Sequence, residues 1–391
     1  MHERRADKHE FSEQGRPFHT RPHSMRLVDG SVPSRTSNLN AVNFNIKGNE
    51  TMSKYYAALF AMTVSVLALS PAHADTSSKK IAFSNNYAGN TWRQAMLASW
   101  NDVTPKAVAD GIVAAADVFT TAENQATEQA AQIQNLVLQG YDAIVVNAAS
   151  PTALNGAIKE ACDAGVVVVT FDGIATEPCA WRVTVDFKEI GYRQVKFLND
   201  LHPEGGNLLE VRGLPGTSID SQYHDGILAG VKDFPKFKVV SEVQGDWSPT
   251  VAQKAVASVL PSLPDIVGVV TQGEVGFGTA EAFKAAGRPI PTVFFGNSQA
   301  ELAWWKENID KNGYKSLSGS IPPGMSSMAF WVAQQILDGK KDIPKDLTVP
   351  FLAIDAAGLD AALASTPEGG VANINYTQDI AIEAIAAASK Q

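Results

Sequence analysis

Residues 139–172 read QGYDAIVVNAASPTALNGAIKEACDAGVVVVTFD. Two short Val/Ile-rich runs, 143–147 and 166–171, flank a stretch near 152–164 with apolar residues at helical spacing. Continuous β-branched runs of this kind suit parallel strands covered on both faces. Gly140 and Gly165 stand just past predicted helix ends, where a left-handed cap favours glycine. The segment is a β-α-β unit, and the pattern extends from it in both directions. Upstream, strands are predicted over 79–84 and 112–119, with helices from about Thr91 and over 124–139; Ala130, Ile133, Leu136 and Val137 form one apolar helix face. Downstream, strands over 207–212, 237–244, 266–271, 292–295 and 317–320 are interleaved with or followed by helices near 219–232, 249–260, 279–286, 299–312 and 325–337. Two runs of β-α-β units predict an α/β chain with two doubly wound parallel-sheet lobes.

Length and charge agree with two lobes. The 391 residues exceed what one apolar core of about 250–300 residues supports. A net charge of −9 argues against nucleic acid as a partner, because phosphate binding needs a basic face. Met52-Ser53-Lys54, an uncharged run from Tyr55 to Leu69, and Pro71-Ala72-His73-Ala74 have the three parts of a secretory signal peptide, with cleavage expected after Ala74. The polar residues 1–51 lie before that signal, so translation is expected to start at Met52, leaving 1–51 as a non-native or disordered extension and 52–74 as the signal peptide. The exported chain then holds 317 residues with 23 basic and 35 acidic side chains, a charge of −12. Its location is expected to be the periplasm. It keeps two histidines, His202 and His224.

In doubly wound sheets ligands bind beyond the carboxyl ends of the strands. The residues there are amides, hydroxyls, a few carboxylates and aromatic rings. Asn147 and Asp172 can bind paired hydroxyls, and Trp92 and Trp247 can cover the C–H face of a sugar ring. Each has a plainer reading: Trp92 and Trp247 as core residues, Asp172 as a turn residue before Gly173. Enzyme signatures fail in turn. Gly213 to Ser218 lacks the Gly-Lys-Ser/Thr ending of a phosphate loop, the glycines from Gly273 to Gly278 have the wrong spacing for a dinucleotide fingerprint, and no Gly-x-Ser-x-Gly elbow occurs. With histidine so scarce, binding is expected rather than catalysis, with no cofactor and no metal. Cys162 and Cys179 are either a disulfide, which an oxidising compartment permits, or two buried thiols; their spacing suits neither a redox CxxC pair nor zinc.

The landmarks Asn90-Thr91-Trp92-Arg93, Gln139 to Ile144, Ala164 to Asp172, Gly216-Thr217-Ser218, Asp246-Trp247, Thr271 to Glu274 and Phe295-Gly296-Asn297 occur in this order behind a signal peptide. In this the chain resembles the periplasmic sugar-binding proteins of ABC importers, of the ribose/galactose-binding type, from about Lys79 to Phe351. The resemblance implies two lobes joined by a three-crossing hinge, a ligand cleft between them, and closure around one sugar for delivery to a membrane permease. The crossings are expected near Val185-Asp186, Ser320-Ile321 and Pro344-Lys345, giving a first lobe of 75–185 plus 321–344 and a second of 186–320 plus 345–391. Asn90, Trp92 and Arg93 match the family's first ligand loop, where Arg93 replaces an aromatic. Asp172 matches a sugar-binding aspartate, followed by Gly173 in place of an arginine. Tyr223 replaces an arginine, Trp247 matches a stacking aromatic, Gly273 replaces an asparagine, Asn297 or Ser298 stands near an aspartate, and Ser320 replaces a glutamine. The implied ligand is a small neutral monosaccharide or polyol other than ribose, with Arg93 leaving room for a negative group, and the protein is expected to be a monomer. Other readings are a ligand-sensing partner of a transmembrane receptor and an exported sugar-processing enzyme. A sugar-responsive repressor would need a helix-turn-helix, which 1–51 does not show.

Overall fold

The computed structural model describes residues 75–122 and 125–390. The extension 1–51 and the signal segment 52–74 lie outside the described residues. Val/Ile-rich runs form a first parallel sheet from β1 (Lys80–Asn85), β2 (Ala115–Thr120), β3 (Ala143–Asn147), β4 (Val167–Phe171) and β5 (Trp181–Thr184). Helices α1 (Thr91–Ala109), α2 (Ala126–Leu138) and α3 (Asn155–Asp163) connect the first four strands. The order β2-β1-β3-β4-β5 is doubly wound, and β3, paired with β1 and β4, is buried along its whole length. Gly140 and Gly165 take φ of 72° and 83°, the left-handed caps their positions predict.

The chain enters the second lobe through α4 (Phe187–Leu201) and continues as β6 (Gly206–Arg212), α5 (Ser218–Asp233), β7 (Phe237–Gln244), α6 (Pro249–Val259), β8 (Gly268–Thr271), α7 (Gly276–Ala285), β9 (Thr292–Val293), α8 (Gln299–Asn312) and β10 (Ser318–Ser320). The second sheet runs β7-β6-β8-β9, all parallel. The chain then returns as α9 (Met325–Leu337), which is buried on nearly every face and packs on β3, β4 and α1. After it come β11 (Asp346–Thr348), β12 (Leu352–Ile354), α10 (Leu359–Ser365) and α11 (Gln378–Ala388).

The expected boundary at Pro344-Lys345 is corrected. Asp346, Leu347 and Thr348 pair with Arg182, Val183 and Thr184, so β11 completes the first sheet. The chain leaves that lobe only at 349–351, before β12 pairs antiparallel with β10. Nor does all of 345–391 belong with the second lobe. The Trp331 indole donates to the Tyr376 carbonyl at 3.2 Å, and Ala381 and Ile385 share the apolar cluster of Met328 and Trp331, which covers α9 with α11.

A disulfide joins Cys162, in α3, to Cys179, in the loop before β5. It ties the segment that follows Asp172 to the body of the lobe. With a sequence separation of 17, a Cys162→Ala/Cys179→Ala variant is expected to lose about 3 kcal/mol of stability. Urea unfolding checks this; a loss below about 1 kcal/mol would mean that other contacts hold the loop.

Candidate functional site

Four strand ends and the α1 and α5 starts converge between the lobes. Asn90 caps α1, its side chain accepting from Arg93 N at 2.8 Å, and this fixes the first turn so that Trp92 and Arg93 face the cleft. The Trp92 indole donates to the Ile321 carbonyl at 2.9 Å, tying α1 to the crossing strand. Arg93 is 6% exposed; its Nη1 donates to Asn85 Oδ1 at 3.2 Å and its Nη2 lies 3.6 Å from Asp172 Oδ2. Asp172 follows β4 with φ of 56° and accepts from Asn147 Nδ2 at 3.0 Å. Burial raises its pKa, opposed by Arg93, Asn147 and the Gly173 N–H.

Across the cleft, Trp247 follows β7 with φ of 53°, preceded by Asp246 at 50°. Left-handed backbone at non-glycine residues is stored strain of the sort that gathers at ligand sites. The indole lies close against two glycines: a Cβ on Gly213 would stand 2.3 Å from Trp247 Nε1, and one on Gly273 2.9 Å from Trp247 Cδ1. Tyr223, on α5, packs its ring 5.4 Å from Phe187, and burial with the nearby Asp172 keeps its phenol protonated.

These residues line one cavity with about 490 Å³ of empty space, part of it open to solvent. Asn90, Trp92, Arg93, Asp172, Tyr223, Trp247, Gly273 and Ser320 all line it. Three residues expected at the site do not. Asn147 sits fully buried behind Asp172 and orients it. Asn297 is occupied by the backbone, its Nδ2 donating to the Leu352 carbonyl at 2.9 Å and its Oδ1 accepting from Ser318. Ser298 caps α8 in a reciprocal capping box with Glu301. The sequence reading missed four lining residues: Phe187, Ile219, Glu274 and Ile321. The two first-turn apolar residues look like ordinary core residues in sequence; Glu274 carried a signal, since it stands in the turn just after β8.

Among the described residues, Glu210, His224 and Glu242 could together hold a metal ion. His224 Nδ1 already lies 3.0 Å from Glu210 Oε1, and Arg212 lies 3.3 Å from Glu242 Oε2. None of the three lines the cavity.

A family model described as a periplasmic binding protein domain matches residues 81–341. The ribose import binding protein RbsB of Bacillus subtilis is 27% identical over 239 residues, covering 60% of this chain and 75% of that protein. A xylitol-binding protein of Mycolicibacterium smegmatis is 28% identical over 250 residues, covering 63% and 70%. The crystal structure of an ABC transporter solute binding protein from Thermobispora bispora superposes with a TM-score of 0.75 at 35% identity, covering 80% of this chain and 96% of that one. Match, fold and inter-lobe cavity agree: the chain belongs to the periplasmic binding protein family.

Proposed function

We propose that this protein captures one neutral monosaccharide or polyol between its lobes and delivers it to the permease of an ABC importer. The observation that carries the reading is the pairing of a self-compensated polar cluster on one lobe with a flat indole on the other. Asp172 and Arg93, with Asn147 orienting Asp172 from behind, offer acceptors and donors to hydroxyls without net charge, and Trp247 offers a ring face. Arg93 is already matched by Asp172, which favours an uncharged ligand over an anion. The ribose- and xylitol-binding relatives support a pentose or pentitol class. The protein acts in the periplasm as a monomer after cleavage of the signal peptide behind Ala74, and it performs no catalytic step.

The test is a thermal-shift and calorimetric screen on protein purified from the periplasm, with D-ribose, D-allose, L-arabinose, D-fructose, xylitol and myo-inositol as probes. At about 100 times Kd a true ligand stabilises by about 2.7 kcal/mol, a clear rise in Tm. If none of these shifts the transition, the sugar and polyol reading fails. Mass spectrometry of the same sample should show an N-terminus at Asp75; a peptide from 1–51 would refute the expected start at Met52.

A further inference from the structure

The cavity holds two carboxyl groups in opposite situations. Asp172 has a cation at 3.6 Å and an amide donor at 3.0 Å. Glu274 has neither: it is 6% exposed, lines the same cavity, and its Oε1 has no partner among the described residues. The titratable group that faces it is Glu301, on α8, which has taken the nearby donors. Glu301 accepts from Gly276 N at 2.9 Å, Gly296 N at 2.9 Å and Ser298 Oγ at 3.0 Å. Even so, burial pushes Glu301 up to about 7. Glu274 lacks those bonds and lies beside Glu301, and burial holds its carboxyl well above the ordinary range.

Local backbone explains why the group at this strand end is Glu274. The chain leaves β8 through Gly273 at φ of 68°, and the Trp247 indole occupies the space where a side chain on residue 273 would begin. The first side chain that can reach the cavity from this turn is therefore that of Glu274.

We propose that Glu274 is a specificity-determining residue of this cavity: it presents an uncharged carboxylic acid that donates one hydrogen bond to a ligand hydroxyl and accepts another. This deepens the sugar-binding reading and rests on it. A hydroxyl both donates and accepts, and a carboxylic acid beside the oxygens of Asp172 satisfies both functions. The same arrangement disfavours a ligand carboxylate or phosphate, since the one cation in the lining, Arg93, already has its counter-charge.

The test uses whichever probe of the screen binds. Glu274→Ala should weaken it about tenfold or more, and Glu274→Gln, which keeps a neutral donor and acceptor, should stay within about threefold of wild type near pH 6. Ligation needs the protonated acid, so wild-type affinity should fall by up to about tenfold per pH unit above the pKa of Glu274. The Glu274→Gln profile should be flat over that range. Asp172 gives the opposite trend, weakening at acid pH, and Tyr223 stays neutral throughout; the difference between wild type and Glu274→Gln therefore isolates Glu274. Identical pH profiles, or unchanged binding in Glu274→Ala, overturn the proposal. A second readout needs no ligand: unliganded wild type near pH 6 should show more protonated-carboxyl infrared absorption than Glu274→Gln, in which the Glu301 contribution remains, and equal absorption overturns the proposal even if no probe binds.

Discussion

Asp172→Ala is expected to weaken ligand binding on the order of 100-fold, the largest effect of any single change at the site. Two losses add. The ligand loses a charged acceptor, worth about 1.5–3 kcal/mol per hydrogen bond in a desolvated cavity. Arg93, 6% exposed, loses the carboxylate 3.6 Å away, so the cavity changes from compensated to positive. Asn147 loses the acceptor of its Nδ2 as well. Unliganded stability should also fall, because removing one partner of a buried pair leaves the other uncompensated. Asp172→Asn separates the two terms: it retains shape and one oxygen, and should cost stability less than affinity. Calorimetry below each variant's Tm reads the affinity. A Kd within about twofold of wild type for Asp172→Ala would place the ligand elsewhere.

The sheets were legible because their strands are buried on both faces, which forces uninterrupted runs such as Val167–Phe171. Lobe edges were harder to read. β5 has four residues and β11 three, with Arg182 and Asp346 facing one another as an ion pair, so neither carries an apolar pattern long enough to register. That gap moved the third crossing from 344–345 to 349–351. At the site, Asp172 and Trp247 stand just past strand ends and Arg93 in the first turn of α1, and all three line the cavity. Asn297 and Ser298 have the right chemistry and stand just past β9, yet their polar groups are spent on Leu352, Ser318 and the α8 cap. Composition and spacing do not reveal which polar groups the backbone has already claimed. Glu274 is the converse case: the sequence places it at a strand end, and only the structure shows that it is left without a partner.

Gly226→Ala should destabilise the protein by about 2 kcal/mol or more, although Gly→Ala inside a helix ordinarily stabilises by about 1 kcal/mol. The reversal of sign follows from the way α4 and α5 meet. A Cβ on Gly226 would stand 2.0 Å from the Lys188 carbonyl oxygen, and one on Gly191 2.4 Å from the Tyr223 carbonyl oxygen. On the next turn, a Cβ on Gly230 would stand 2.7 Å from Val195 Cβ. The helices therefore touch backbone to backbone over two turns, and an added methyl has no flexible neighbour to displace. It must push the helices apart, in an interior too closely packed to absorb the shift. Ile219 and Tyr223 line the cavity from the same helix, so the displacement reaches the site and should weaken binding as well. Gly156→Ala is the control: Gly156 is exposed in α3, and a Cβ there would meet nothing within 4 Å. That variant should be as stable as wild type or gain up to about 1 kcal/mol. Urea unfolding compares the pair directly. If Gly226→Ala matches Gly156→Ala, the helix crossing tolerates a methyl group, and the site's geometry does not depend on this glycine contact.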